Sequence, residues 1–321
     1  MITARNLRGC YVAIITPMTI TEGNSYPQVD LNKMYSLIRE NIDAGVTGLV
    51  FAGTTGQSAT LSHDEHVEVA TKGAAYAHWY SNETGKNVQI IAGAGSNSTN
   101  EAISLSERIT AAAPIDALLH VTGYYNNPPQ EGLVAHFEAV AEAMAPHRTP
   151  IILYNVPGRT SSNLSAETII QLSKHPNIIG VKEASGDLEK IEKIIAETDR
   201  KTFQVVSGED HLVYDIMKRG GTGVISAAAN RWPREFQVLT ELAEEEKWEE
   251  AEELQKALLP CVKAVFCAKN PIPLCHMFGS EVRLPLVKIT QLADSEKYEN
   301  IISEAMAIET FPHVTECVGA E

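Results

Sequence analysis

Lys182 closes the apolar run Ile178-Ile179-Gly180-Val181, and the position of its amine is the chain's first pointer to chemistry. A short run rich in β-branched side chains, followed by the small residues Ala184, Ser185 and Gly186, has the pattern of a buried parallel strand. A lysine at the carboxyl end of such a strand can have its amine held in a protein pocket instead of in water. Schiff-base formation with a ketone needs the neutral amine. A free lysine, with a pKa near ~10.4, is almost wholly protonated at neutral pH. A desolvating pocket that brought this to about 7–8 would raise the neutral fraction roughly a thousandfold, about 4 kcal/mol. The alternative is a lysine that snorkels from the strand end into solvent.

Three other groups suit a small keto acid. In Gly53-Thr54-Thr55-Gly56 the glycines let the backbone approach closely, and amide N–H groups with the two threonine hydroxyls can hold a carboxylate. A plain tight turn is the competing reading. Tyr154 falls at the end of the preceding apolar run, where its hydroxyl can pass protons, although a strand-end tyrosine also serves as packing with a wet tip. Arg159, in Pro157-Gly158-Arg159-Thr160, can grip a carboxylate bidentately or lie idle on the surface. His63-Asp64-Glu65-His66 offers metal-ligand types but no third partner at suggestive spacing, and it reads equally as a helix start with acids at the positive end of the dipole.

Positioning these groups is the task of the intervening elements. Apolar runs over residues 9–15, 46–51, 88–92, 117–121, 151–154, 178–181, 203–206 and 222–226 recur at intervals of roughly 25 to 40 residues. Between them lie helical patterns at 31–44, 64–80, 100–113, 131–145, 166–175, 188–198 and 211–219. Eight strand-then-helix repeats are the signature of an α/β chain folded as a (β/α)8 TIM barrel, whose chemistry sits at the carboxyl ends of the strands. That rule gathers the Gly53 turn, Gly123-Tyr124-Tyr125-Asn126, Tyr154 and Lys182 around one pocket. After Trp232-Pro233 only helical patterns follow, at 241–259, 286–293 and 298–308, with an aperiodic tail from Phe311. The expected division is a catalytic barrel over 1–240 and a small C-terminal helical domain over 241–321.

Composition sets the outer limits. A chain of 321 residues with 44% hydrophobic content supports a large core, and a net charge of −15 argues against nucleic acid or an anionic membrane as partner. An anionic substrate would need local help. Five cysteines (Cys10, Cys261, Cys267, Cys275, Cys317) with no Cys-x-x-Cys pair do not form a disulfide framework, and the expectation is a cytoplasmic protein. Arg5 and Arg8 before the apolar residues 10–15 look superficially like a signal peptide, but Pro17 interrupts the run and a first barrel strand is expected instead. No stretch approaches the ~20 apolar residues of a membrane span.

The motifs Gly53-Thr54-Thr55-Gly56-Gln57-Ser58-Ala59-Thr60-Leu61, Tyr154-Asn155-Val156-Pro157-Gly158-Arg159-Thr160, the Lys182 strand, Gly223-Val224-Ile225-Ser226 and Asn270-Pro271-Ile272-Pro273 occur in one order. Through them the chain, from Gly9 to Thr290, resembles the pyruvate-dependent class I aldolase superfamily and, within it, the dihydrodipicolinate synthase family. The resemblance implies condensation of pyruvate with L-aspartate 4-semialdehyde in the diaminopimelate route to L-lysine, through a covalent Schiff base on Lys182 and without another cofactor. It implies that Thr54 and Thr55 bind the pyruvate carboxylate and that the backbone at Ile225 lines the pocket. Arg159 would hold the semialdehyde carboxylate, and Tyr154, Thr55 and Tyr125 would form a proton relay, with Tyr125 crossing a tight dimer contact. A homo-oligomer follows, with a tetramer as the expected assembly. L-lysine would inhibit from a cleft formed by Ser58, Ala59, His63, His66, Asn97, Glu101 and Tyr124.

Two departures stand out: Gln57 where the family has Glu, and Gly123 where it has Pro. Both sit near the expected substrate or effector positions and bear on affinity and feedback. The competing readings are a sugar-acid aldolase of the same superfamily, against which Arg159 argues, and a non-catalytic ligand-binding relative, against which Lys182 argues.

Overall fold

Runs of four to six mostly apolar residues are too short to pack alone, and the chain buries them by closing them on one another. The computed structural model describes residues 1–314. Its strands are β1 (Gly9–Ala13), β2 (Met18–Thr21), β3 (Asn24–Val29), β4 (Gly48–Phe51), β5 (Gln89–Gly93), β6 (Ala117–Val121), β7 (Ile151–Asn155), β8 (Ile178–Glu183), β9 (Gln204–Ser207) and β10 (Gly223–Ser226). All but β2 and β3 form a closed parallel barrel in the order β1-β10-β9-β8-β7-β6-β5-β4. Side chains alternate between two cores, as the pleat requires. Tyr11, Val50, Ile91, Ile152, Tyr154 and Val206 fill the barrel's interior, while Leu49, Phe51, Ile90, Val181, Val205 and Val224 face the helical ring.

Each return to a strand begins with a defined helix start. Asp30, Ser62, Ser98, Ser165 and Asp187 accept the backbone N–H three residues ahead, satisfying an amide that the first turn leaves free. The helices Leu31–Asp43, His63–Thr84, Thr99–Ala112, Ala166–Leu172 and Leu188–Glu197 therefore begin within one residue of their sequence-expected positions.

Three features differ from expectation. The helical pattern at 241–259 is two helices, Pro233–Glu244 and Trp248–Val265, so the first runs across the expected boundary at 240. Between them Glu246 takes φ 58°, with Glu246 N–H bonded to Ala243 O and Lys247 N–H to Leu242 O. This is a Schellman-type stop made without the usual glycine, so the sequence carried no signal for it. Residues 286–293 hold only a single 3-10 turn, Ile289–Gln291. The Lys288 N–H donates locally to Gln291 Oε1 at 3.0 Å, at the start of that turn. Finally β2 and β3 pair as an antiparallel hairpin outside the barrel, over residues with no apolar alternation to announce it.

Arg283 is fully buried and reaches three separate parts of the molecule. It donates to both carboxylate oxygens of Glu65 at 2.8 and 2.7 Å, to Pro27 O in the hairpin and to Thr60 O in the turn after β4. A buried guanidinium with this many partners is tolerated because each donor is satisfied. After the barrel, Trp248–Val265 packs on Pro233–Glu244 and on Ser295–Met306 as a helical region. Cys10, Cys261, Cys267 and Cys275 are free thiols, Cys317 lies outside the described residues, and among those described no helix is long and apolar enough to cross a membrane.

The Arg283 guanidinium pulls the Glu65 carboxyl from 4.5 down to about 2. A depressed carboxyl stabilises the fold above its unfolded value, and that stability fades as pH falls through the folded one. Glu65→Gln should therefore lose about 1–2 kcal/mol of unfolding free energy at neutral pH, allowing for solvent screening of the carboxylate. Denaturant titrations should show the gap to wild type narrowing below about pH 4.5; a gap independent of pH would mean that packing, not charge, is at work.

Candidate active site

Lys182 stands one residue before the end of β8, in register with Tyr154 on β7 and Val206 on β9. Parallel pairing turns Lys182 and Tyr154 inward together. The Lys182 Nζ lies 4.4 Å from the centroid of the Tyr154 ring, and both side chains are only 7% exposed. The adjacent carboxylate, Glu183, points the other way and is fully buried. It accepts from Asn155 Nδ2 at 2.9 and 3.1 Å and from the Ser185 N–H, and it pairs with Lys190 at 3.1 Å. Glu183 is thus fully occupied on the outer face and is not the counter-ion of the Lys182 amine.

Gly208, just after β9, makes room for that amine. A Cβ at this position would stand 3.1 Å from Lys182 Cε and 2.7 Å from Ala184 Cβ. Only a glycine leaves the lysine stem its place.

The turn after β4 brings Thr54 and Thr55 to the same cavity, a space of about 100 Å3 lined also by Tyr154, Arg159, Lys182, Gly208, Glu209, Ile225 and Asn270. The turn is closed by its own backbone, Gln57 N–H to Thr54 O and Ser58 N–H to Gly53 O. Gln57 is buried beneath it, accepting the Arg283 N–H at 3.2 Å and lying 3.7 Å from Met18 and Cys275 sulfur atoms. Gln57 therefore braces the turn from behind and does not line the cavity. Thr55 Oγ1 accepts from Asn270 Nδ2 at 3.0 Å, and the Asn270 carbonyl accepts from Arg159 Nη2 at 3.4 Å. Asn270 so connects the carboxylate turn to the guanidinium, and its own Oδ1 is buried with no partner.

Glu209 also faces the cavity. Burial first, then the adjacent Asp210, raises its carboxyl from 4.5 to about 7, against the opposing charges of Lys182 and Arg159. Glu209 has no marker in the sequence, and Asn270 stands there only within the Asn270-Pro271-Ile272-Pro273 motif without a role, because an acid and an amide in loops gain a partner only when the barrel brings the loops together.

The remaining expected residues divide. Ser58 and His66 face the catalytic cavity, and His66 is buried, donating Nε2–H to Gly93 O at 2.7 Å. Burial lowers its pKa, which favours this neutral form. His63 meets Glu101 at 2.8 Å, Glu101 also bonds Ser96 Oγ, and Asn97 Oδ1 accepts the Tyr124 N–H at 2.9 Å. Ala59 is exposed beside them. Of the acids between the two histidines, Asp64 pairs with Arg108 and Glu65 with Arg283, so the four side chains of that motif diverge. Tyr125 does not join the chain's own cavity: it is 93% exposed, at φ 73°.

A closed barrel with an occluded lysine at a strand end, a tyrosine beneath it and a hydroxyl-lined turn in the same cavity defines a lyase of the class I aldolase type. The model of the dihydrodipicolinate synthetase family matches residues 6–305. The chain is 40% identical to the 4-hydroxy-tetrahydrodipicolinate synthase of Listeria monocytogenes over 282 residues, 86% of this chain and 92% of that protein. It superposes with a TM-score of 0.83 on a chloride-inhibited dihydrodipicolinate synthase from Acinetobacter baumannii complexed with pyruvate, at 36% identity over 94% of this chain and 100% of that one. The same score is reached with the lysine-bound enzyme of Cyanidioschyzon merolae, at 35% identity over 94% and 99%. The chain belongs to the dihydrodipicolinate synthetase family.

Gly208→Ala should press on both Ala184 and the Lys182 stem, shifting the lysine. The expected result is a fall in catalytic rate of about 10²-fold, as a misplacement near 1 Å can cause, with a loss of about 1–3 kcal/mol in stability from the overpacked Ala184 contact. A variant as active as wild type would show that the lysine does not need this space.

Proposed function

We propose that the chain condenses pyruvate, held as an imine on Lys182, with L-aspartate 4-semialdehyde, the reaction of a 4-hydroxy-tetrahydrodipicolinate synthase. The observation that carries this reading is the occluded Lys182 amine against the Tyr154 ring, in one cavity with Thr54, Thr55 and Arg159. Attack of the neutral amine on the pyruvate ketone expels water, and loss of a methyl proton from the imine gives an enamine, a carbon nucleophile for the aldehyde. The imine itself serves as the electron sink, so the reading asks for no cofactor. Thr54, Thr55 and the amides of their turn suit the pyruvate carboxylate, and the backbone at Ile225 forms the opposite wall.

Arg159 suits the semialdehyde carboxylate. Glu209, across the same cavity, supplies an acceptor for the ammonium of that substrate once its carboxyl is ionised. A sugar acid would need several hydroxyl-binding side chains where this cavity presents the Arg159 guanidinium. Tyr154 and Thr55 fit a proton relay, and Tyr125, exposed on the protein's own surface, fits the third position only if a second copy accepts it, as a tight dimer would. The His63, Glu101, Asn97 and Tyr124 cluster, with Ser58, Ala59 and His66 behind it, offers the carboxylate, imidazoles and amide that L-lysine would need as an inhibitor.

Turnover with pyruvate plus aspartate semialdehyde, with and without L-lysine, tests substrate and regulation together. Activity is expected with this pair and not with N-acetylneuraminate; cleavage of the sugar acid instead would move the chain to that class. In Arg159→Ala, use of the semialdehyde should fall by about 10²-fold or more while imine formation from pyruvate changes little. Equal damage to both steps would remove Arg159 from the second substrate.

A further inference from the structure

A second cavity, about 490 Å3, adjoins the catalytic one, and Glu209 and Phe266 line both. Its walls come from the turn after β9 and from the helices Trp248–Val265 and Ser295–Met306. Lys263, Lys297, His211 and the Tyr298 ring line it over an apolar floor of Val262 and Ile301. Neither lysine is ion-paired among the described residues, unlike Lys190, Lys193, Lys247, Lys256 and Lys288. Glu209 is the one carboxylate in the lining, and a carboxyl raised to about 7 is only partly charged at neutral pH.

The setting makes this charge arrangement matter. A chain with a net charge of −15 repels a small monoanion at long range, and only a local positive potential can reverse that at the entrance. We propose that this cavity is an entry vestibule whose Lys263 and Lys297 gather the monocarboxylate keto acid and pass it to the Thr54-Thr55 turn and Lys182. The proposal rests on the pyruvate reading above and adds two residues to it. Phe266, between the two spaces, gives the methyl end of such a ligand an apolar surface, while the lysines act on its charge.

The discrimination expected is by net charge. Pyruvate is a monoanion, whereas aspartate semialdehyde carries one carboxylate and one ammonium and is neutral overall, so the vestibule should act on the first substrate and hardly on the second. The test is steady-state kinetics of Lys263→Gln/Lys297→Gln at ionic strengths of about 0.01 M and about 1 M, where the Debye length is about 30 Å and about 3 Å. At low salt, kcat/KM for pyruvate should fall about three- to tenfold. It should fall for the semialdehyde by less than about twofold, with kcat little changed. At high salt the difference should vanish, and Lys263→Arg/Lys297→Arg should behave as wild type at both. No loss at low salt, or an equal loss at both salts or for both substrates, overturns the vestibule. A wild-type protein that does not turn over pyruvate at all would instead overturn the reading on which it rests.

Discussion

An amine can act as a nucleophile at the mouth of a barrel only if no carboxylate claims it and water does not surround it. The pairing of Tyr154 with Lys182 on neighbouring strands places that amine inside the cavity, with both residues buried. It sets the amine over an aromatic ring of the interior core. The strand pleat then sends the next residue, Glu183, to the opposite face, where Asn155, Ser185 and Lys190 consume its charge. One alternation of direction thus keeps a full negative charge away from the lysine although it is adjacent in sequence. The glycine after β9 completes the arrangement, because any side chain there would occupy the space of the lysine stem.

The rest of the molecule works to hold the other groups against that point. The Thr54-Thr55 turn is pinned from three sides: by its own backbone, by Gln57 beneath and by Asn270 across the cavity. Behind these, the buried Arg283 ties Glu65, the hairpin and the same turn, so a segment after the barrel braces a site formed mostly by the first half of the chain. The helical region after the barrel therefore contributes to the site directly, through Asn270 and Phe266.

Much of this was legible in the sequence, for stated physical reasons. Strand positions announced themselves because buried parallel strands are uniformly apolar, and helix starts because Asp30, Ser62, Ser98, Ser165 and Asp187 are capping types ahead of amphipathic patterns. Lys182, Tyr154, Thr54, Thr55, Arg159 and Ile225 come together because the carboxyl ends of barrel strands must. What the sequence hid depends on long-range closure or on the absence of a marker residue. Glu209 and Asn270 acquire meaning only through distant partners, Arg283 reads as an ordinary surface arginine, and the stop at Glu246 uses no glycine. The Gln57 departure proved to concern the support of the turn and not its contents, a distinction that spacing alone does not make. Tyr125 is exposed in a single chain, so its part in any relay belongs to contacts that one chain does not contain.

The central claim is that the Lys182 amine captures pyruvate covalently. Incubation with pyruvate and borohydride, followed by peptide mass spectrometry, measures that step without the second substrate or any coupled assay. The account predicts one stable adduct, on the peptide containing Lys182 and absent from Lys182→Arg. An unmodified Lys182, or an adduct carried by another lysine, would contradict it.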